Sequence, residues 1–295
     1  MMAGLSQHTA SVPSKPLVKP LRLLRAPVNG LVRAMQSAGR WLTFVAQTFW
    51  LLPVTIRKYR RETMVVMNNL AWGRGSIIVD GGVVSVLGIL GVTVGAIVAI
   101  EAFATLNLIG LGALAGVIGG WGNVREMAPL VAGVAFASQA GCRMTAEIGS
   151  MRIADEIDAT EAMGLRAIPF VVGTRVIGGL LCVIPGFLLT LAISFVTSSV
   201  MIKIIYGQPG GTYDHYFVQF LTVTDVAQSL LKAVVYCTAV TLIHCYYGFF
   251  AAGGPVGVGE ASGRAIRTSL VTIMVLDLAT TILLWGLRPE FVFKG

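Results

Sequence analysis

An acidic segment between two long uncharged stretches is the first candidate for chemistry. It runs from Ala146 to Pro169 and holds five of the chain's 14 acidic residues. Because an apolar chain would leave the lipid here, turn and re-enter it, the segment is placed to be held by a partner. Its carboxylates are Glu147, Asp155, Glu156, Asp158 and Glu161.

The spacing of these acids predicts a charged helix face. On a helix, Asp155, Asp158 and Glu161 follow one another at i, i+3 and i+6, and like charges at such spacing oppose helix formation. A cationic partner surface would offset that repulsion, whereas a solvated acidic helix without a partner is the alternative. We expect Glu156 and Ile157 to point elsewhere and to hold the helix to its own subunit. No metal site is indicated, because the carboxylates lack a histidine or a closing loop.

Four ionisable residues interrupt apolar runs, and such groups at membrane depth normally face a cavity or pair with each other. Arg125 and Glu126 point about 100° apart on a helix, so each needs a partner from another helix. Pro129 leaves a backbone carbonyl unpaired one turn earlier, which favours a kink beside them. The alternative to a functional role is a set of buried charge pairs that fixes helix packing. The four residues are Glu101, Arg125, Glu126 and Asp277.

The elements that position these residues are predicted to be membrane helices. The chain is 55% hydrophobic and 12% charged, whereas soluble domains are about 25% charged. A spanning helix needs about 20 apolar residues, and the stretch from Met127 to Cys142 is short for one, so the composition permits five or six crossings. The longer uncharged runs are Gly81 to Ile100, Ala102 to Val124, Val176 to Ile202, Ala233 to Gly259 and Thr268 to Leu287, the last broken by Asp277.

The placement of the basic residues selects five crossings with a cytoplasmic N-terminus. Every base from Lys15 to Arg61 precedes the first acid, Glu62, and an excess of Lys and Arg marks the cytoplasmic side. The loop from Tyr206 to Asp225 has no Lys or Arg. The net charge of +8 therefore indicates a membrane orientation rather than nucleic-acid binding.

The chain is predicted to have three parts. Prolines and bases in residues 1–30 predict a flexible basic tail; no signal peptide is indicated, and an organellar transit peptide is the alternative. Residues 31–75 are predicted to form an interfacial amphipathic helix and a cytoplasmic lead-in, because Arg40 would be costly in a true span. Residues 76–295 are predicted to form a five-helix domain.

Glycines and the missing nucleotide motif add two further expectations. GxxxG pairs at 91/95, 112/116 and 116/120 predict close helix contact, either within the chain or between two chains. The sequence has no P-loop motif, so ATP hydrolysis would need another chain. The four cysteines lack CxxC spacing and are interpreted as packing residues.

Several ordered motifs from about residue 40 onward resemble the MlaE/YrbE permease family. They are Arg125-Glu126-x-x-Pro129, Ala146-Glu147-x-Gly149-x-Met151, Asp155-Glu156-Ile157-Asp158-Ala159, Glu161-Ala162-Met163-Gly164, Gly254-Pro255-x-Gly257-Val258-Gly259-x-Ala261 and Leu276-Asp277. Members of this family are non-catalytic membrane subunits of ABC transporters that move lipids. The chain is most similar to the YrbE subunits of actinobacterial Mce lipid transporters.

The resemblance implies an all-α polytopic protein of the inner (plasma) membrane, with an interfacial helix, five transmembrane helices and a cytoplasmic coupling helix at about residues 152–166, between the second and third. The acids of that segment would contact a cytosolic ABC ATPase dimer, which would bind ATP and Mg, while this chain needs no cofactor. A second YrbE-type permease and MCE-domain proteins are the other implied partners. The lipid substrate would be an imported fatty acid, mycolic-type lipid or sterol. Near its path would lie Glu101, Arg125, Glu126 and Asp277.

Four positions depart from the family pattern. Asp155 replaces a usual Glu, Thr174 replaces the Pro of a Pro-Arg pair, and Glu260 stands where a base is common. Glu101 replaces a frequent Gln, and an extra ionisable group there would change head-group preference or mark one subunit of an asymmetric pair.

Two other functions remain as alternatives. A proton-coupled secondary carrier would use Glu101, Arg125 and Glu126, but the internal repeats expected of many such folds are not evident. A non-transporting assembly scaffold would need the same charges only for complex formation.

Overall fold

The computed structural model describes residues 20–73 and 82–286, with side chains from residue 35 onward. Within these ranges the protein is all-α, and it is a polytopic membrane protein. Four of the described helices are long and apolar enough to cross a membrane. They are Val83–Leu108, Ile168–Ile205, Val223–Phe249 and Gly254–Trp285.

The chain divides into two compact units, residues 1–45 and residues 46–295. Helix α1, Pro20–Lys58, begins inside the range predicted as a flexible tail and is longer than the predicted interfacial helix. The part of the predicted tail before residue 20 lies outside the described residues. Helix α2, Arg60–Trp72, follows α1 after Tyr59. Met35 is 67% exposed and Trp50 is 83% exposed, as expected of a helix with apolar interfacial anchors.

Helix α3, Val83–Leu108, packs against helix α8, Thr174–Val200. Two glycines of α3 permit this contact: a Cβ at Gly91 would lie 2.7 Å from the carbonyl oxygen of Thr190, and one at Gly95 would run into the backbone of Ser194. The first GxxxG pair therefore serves contact within the chain. Wider π-helical turns extend α8 at both ends, at Ile168–Gly173 and Met201–Ile205.

A segmented helical stretch, residues 115–153, lies between α3 and the acidic segment. The structure divides the uncharged run predicted from Ala102 to Val124, because residues 102–108 complete α3 and a turn at residues 109–111 follows. The stretch is not among the four long apolar helices, and it carries Arg125 and Glu126; that it crosses the membrane stays a prediction. Its segments are α4 Ala115–Val117, a π segment Ile118–Met127, α5 Ala128–Phe136, a π segment Ala137–Gly141, and α6 Cys142–Ile153.

Three further helices complete the described chain: α9 Gly210–Phe220, α10 Val223–Phe249 and α11 Gly254–Trp285. Helix α9 packs on the start of the segmented stretch, where a Cβ at Gly116 would lie 2.5 Å from the carbonyl oxygen of Tyr213 and one at Gly120 would lie 3.2 Å from the ring of Phe217. These glycines also serve contact within the chain. Helix α10 packs against α11, α6 and α8, and Thr222 begins it with a capping box.

Candidate functional site

Five ionisable side chains from three helical elements meet in what we call the membrane charge cluster. Arg125 and Glu126 come from the π segment before α5, and such segments are frequent at functional sites. Asp225 and Lys232 come from α10, and Asp277 comes from α11. The expectation that Arg125 and Glu126 each need a partner on another helix is confirmed.

Arg125 forms an ion pair with Asp225. Its Nη2 and Nε atoms both donate to Oδ1 of Asp225, at 2.8 and 3.1 Å. The guanidinium lies over the rings of Trp121 and Trp285, 4.3 and 4.8 Å from their centroids. Trp285 Nε1 also donates to Asp225 at 3.4 Å. The carboxylate therefore neutralises the cation, and the two aromatic faces stabilise it further.

Lys232 lies at the centre of the cluster, and its side chain is 0% exposed. Its Nζ is 2.9 Å from Asp277 Oδ1 and 3.3 Å from Glu126 Oε2. It also donates to the backbone carbonyl of Arg125 at 2.7 Å. That carbonyl lies four residues before Pro129, which has no N–H to pair with it. Lys232 thus satisfies both the carboxylates and the carbonyl that the proline leaves free.

The two carboxylates differ in exposure. The Asp277 side chain is 15% exposed and also accepts a hydrogen bond from the Tyr236 hydroxyl at 2.7 Å. The Glu126 side chain is 43% exposed and accepts from Thr281 at 2.9 Å. Glu126 is therefore the member of the cluster that can reach a molecule outside the chain.

Sequence reasoning missed Asp225 and Lys232. Both lie at the edges of apolar stretches, and Lys232 directly precedes the uncharged run that begins at Ala233. A signal was present, because the three predicted acids exceed the single predicted base, Arg125, and an excess of buried acid requires a cation. In the structure that cation is Lys232, which lies at the edge of an apolar run.

Glu101 is not part of the cluster's ion pairs. It lies near the end of α3, is exposed, and has no hydrogen bond or ion pair with the residues that the structure describes. Its role near a lipid path stays a prediction.

The acidic segment contains a short helix, α7, Glu156–Ala162. We call residues 155–166 the coupling segment, after the predicted contact with an ATPase, which stays a prediction. The predicted helix at 152–166 is too long, since Arg152 belongs to α6 and the chain reverses at Asp155, which has a left-handed backbone with φ 56°. Asp155 therefore precedes the helix instead of continuing its acidic face. Of the two residues expected to hold the helix, Ile157 is 1% exposed, whereas Glu156 is exposed.

The remaining acids of the segment point outward. Asp158 and Glu161 are exposed, and Asp158 pairs with Arg152 at 2.7 Å. Thr160, on the same side as the buried Ile157, is 7% exposed. Helix α7 thus has one side packed on its own chain and an acidic side open to a partner.

Glu147 differs from these acids because two arginines hold it. Its carboxylate lies 3.0 Å from Arg143 and 3.4 Å from Arg175. Arg143 also donates to the backbone carbonyl of Asn69 at 3.2 Å. This arrangement links α6 to α8 and α2, so Glu147 connects helices within the chain; its predicted contact with an ATPase is untested.

The motif that contains Gly149 packs against the glycine-rich motif that contains Val258, beside the coupling segment. A Cβ at Gly149 would lie 2.7 Å from a methyl group of Val258, at the start of α11. Gly149 therefore permits the close approach of α11 to α6.

The comparison with known families decides the class of protein. The family described as Permease MlaE matches residues 76–283, which is well over half of the chain. The chain belongs to the MlaE permease family.

Curated relatives agree with this assignment. The chain is 28% identical over 158 residues to a probable ABC transporter permease protein of Rickettsia bellii, a match covering 53% of this chain and 61% of that protein. It is 31% identical over 153 residues to a probable ABC transporter permease protein of Synechocystis, covering 51% and 57%. It is 25% identical over 171 residues to protein TRIGALACTOSYLDIACYLGLYCEROL 1, chloroplastic, of Arabidopsis thaliana, covering 58% and 47%. These matches span about half to three fifths of each relative.

In this MlaE-family chain, the matched range contains the five charged residues of the membrane charge cluster and all of α7. It excludes α1 and α2, and it ends before Trp285. Both candidate sites thus lie in the part of the chain that defines the family, whereas α1, which contains most of the predicted interfacial helix, lies outside it.

Proposed function

We propose that this chain is the membrane permease subunit of an ABC transporter of the Mce/Mla type, which moves lipid and is powered by a separate cytosolic ATPase. The observation that carries this proposal is α7, whose apolar side packs on its own chain while Asp158 and Glu161 remain exposed. A helix fixed on one side and charged on the other suits docking into a cationic groove.

The route from the ATPase to the membrane would pass through packed elements. Helix α7 follows directly from α6, where Glu147 contacts arginines of α6 and α8 and Gly149 contacts Val258 of α11. A rigid-body shift of α7 would therefore move these membrane helices together. The same helices carry or adjoin the membrane charge cluster, so the lipid path would open and close with the ATPase cycle.

The proposed substrate and partners rest on the family resemblance. We propose import of a fatty acid, mycolic-type lipid or sterol across the inner (plasma) membrane, with the N-terminus in the cytoplasm. A second YrbE-type permease, an ABC ATPase dimer and MCE-domain proteins would complete the complex, and ATP and Mg would bind the ATPase. Glu126, the exposed acid of the cluster, and Glu101 would face the lipid path.

Co-purification tests the docking proposal. Changing Asp158 and Glu161 to Lys should abolish recovery of the ATPase with the tagged chain, because the changes replace attraction by repulsion. The Asp155→Lys change should weaken recovery less, since Asp155 precedes the helix. Glu62→Lys is the matched control, as Glu62 is an exposed acid on α2. Undiminished ATPase recovery from the double variant would refute the docking role of α7.

Two alternatives have distinct outcomes in the same system. A proton-coupled carrier predicts lipid uptake that persists without ATP while a pH gradient is kept, which the ABC proposal does not allow. An assembly scaffold predicts that Glu126→Gln lowers complex yield but leaves uptake per assembled complex unchanged.

A further inference from the structure

A cleft of about 770 Å³ separates the second half of α1 from the linker that follows α7. Clefts of roughly 300–1,000 Å³ commonly hold small ligands. One wall is formed by α1, through residues including Gln47, Trp50 and Leu51, and the other is formed by Glu161 and residues 164–169. None of the five charged residues of the membrane charge cluster lines this cleft, but Glu161 belongs both to its wall and to the docking side of α7 proposed above.

The base of the cleft is firmly closed. Thr55 of α1 donates a hydrogen bond to the carbonyl of Pro169 at 3.1 Å, and any Cβ at Gly173 would collide with the Thr55 side chain. The ring of Tyr59 packs edge-on against Phe170, with centroids 5.4 Å apart. The two walls are therefore joined at Thr55 and Tyr59 while they remain apart at Trp50, so the cleft is a fixed part of the fold.

The linker wall is also fixed by its own hydrogen bonds. Gly164 has φ 79°, its N–H donates to the Glu161 carbonyl at 2.9 Å, and the Leu165 N–H donates to the Thr160 carbonyl at 3.2 Å. This pattern is a helix-ending glycine motif. It fixes the direction in which the chain continues to Arg166.

Arg166 is the cation of the cleft, whose lining also holds the carboxylate of Glu161. It is exposed, and its guanidinium has no hydrogen bond or ion pair with any residue in the described part of the chain. Arg143, Arg152 and Arg175, by contrast, all have carboxylate partners. A free guanidinium beside an apolar wall suits a phosphate group, which it binds through paired donors.

The surroundings of the cleft indicate where the phosphate comes from. Trp50 is 83% exposed and Phe49 is 48% exposed, and exposed aromatic residues of this kind lie at the membrane interface. Basic residues on the cytoplasmic side attract the anionic lipids of that leaflet. Four exposed bases follow on the same helical pair: Arg57, Lys58, Arg60 and Arg61.

We propose that the cleft binds an anionic phospholipid of the cytoplasmic leaflet. An acyl chain would lie against Trp50 and Leu51, and the phosphate would pair with Arg166. Because Glu161 and Gly164 belong to the same wall, the bound lipid would contact the end of the coupling segment directly. This binding does not depend on which lipid is transported.

Tryptophan quenching tests the proposal with the full chain, purified with its natural partners, in nanodiscs. Two preparations have the same ratio of phosphatidylcholine to phosphatidylglycerol and equal bromine content, but the bromine is on one lipid or on the other. The signal of Trp50 is the difference between the parent protein and Trp50→Phe. We expect brominated phosphatidylglycerol to quench Trp50 more strongly than brominated phosphatidylcholine.

Three variants separate binding in the cleft from general attraction to the membrane. Arg166→Gln should remove the excess quenching, whereas Arg264→Gln, a change at another exposed arginine without a side-chain partner in the described residues, should retain it. Gln47→Glu adds a second carboxylate to the cleft beside Glu161 and should lower the excess.

Three outcomes would overturn the proposal. Equal quenching of Trp50 by the two lipids would show that no anionic lipid is selected. Equal effects of Arg166→Gln and Arg264→Gln would assign the excess to overall charge. Loss of the ATPase from Arg166→Gln with the excess quenching intact would assign Arg166 to protein docking.

Discussion

The membrane charge cluster and the coupling segment use charge in opposite ways. In the cluster, Arg125 and Lys232 each contact a carboxylate of a different helical element, at 2.8 and 2.9 Å. In the coupling segment, Asp155, Glu156 and Glu161 are exposed and have no ion pair among the described residues. The charges of the cluster are paired within the chain, whereas these three acids of the coupling segment are open to solvent or a partner.

The reason for this difference is the solvent. Hydrocarbon offers no partner to a charge, so an ionisable group at membrane depth must be satisfied by the protein or face a polar cavity. Water can solvate an exposed carboxylate until a partner binds. The charges of the cluster therefore hold helices of the same chain together, whereas the acids of the coupling segment remain available to a partner, as we propose.

The largest predicted effect follows removal of the buried cation. Lys232→Met leaves Asp277 without its ammonium partner, and breaking a buried pair costs about 3–5 kcal/mol of stability. The measurement is the thermal midpoint of the purified protein in detergent. Lys232→Met combined with Asp277→Leu should recover part of the loss, because the uncompensated charge is removed. A single variant as stable as the parent would show that the cluster is solvated rather than buried.

Glu147 tests the boundary between the two regions. Glu147→Ala removes a carboxylate from Arg143 and Arg175, and a hydrogen bond to a charged group is worth about 1.5–3 kcal/mol. We expect a lower thermal midpoint, with the ATPase still bound to the molecules that remain folded. Selective loss of the ATPase at unchanged stability would instead place Glu147 with the open acids.

Gly149 tests the contact between α6 and α11. Gly149→Leu forces a side chain against Val258, and overpacking typically costs about 1–3 kcal/mol. Val258→Ala should restore part of the stability in the double variant. Gly259→Ala is the control, because a Cβ at Gly259 would meet nothing within 4 Å. Equal effects of the substitutions at Gly149 and Gly259 would contradict the close approach.

The smallest effect is expected at the exposed pair of the coupling segment. Asp158→Asn breaks the contact with Arg152. The side chains of Asp158 and Arg152 are 58% and 38% exposed, and exposed ion pairs contribute about 0–1 kcal/mol to stability. The thermal midpoint of the variant should hardly differ from that of the parent protein. ATPase recovery should fall as salt is added, because salt screens the attraction between exposed charges. A large loss of stability would show that Asp158 fixes the fold of α7.

Much of the fold follows from the sequence because apolar length and basic residues are local signals. These signals predict the polytopic all-α class and the acidic interruption between apolar helices, which the structure confirms, whereas the cytoplasmic position of the lead-in stays a prediction. The end of the first span could not be placed, because Ala102–Leu108 continues α3 without any polar residue that would mark the turn after it. The break at Asp155 was missed as well, since a left-handed Asp leaves no pattern in a helical spacing of charges.

The sequence alone singled out Arg125, Glu126 and Asp277 within apolar runs and the acids between residues 146 and 169, because residue type against an apolar background is a local signal. Only the tertiary structure decided the partners. Asp225 and Lys232 lie 100 and 106 residues after Arg125 and Glu126, and no spacing rule joins such distant positions. Close helix packing brings them together, and the need to neutralise charge in a low-dielectric interior makes that pairing a condition of the fold.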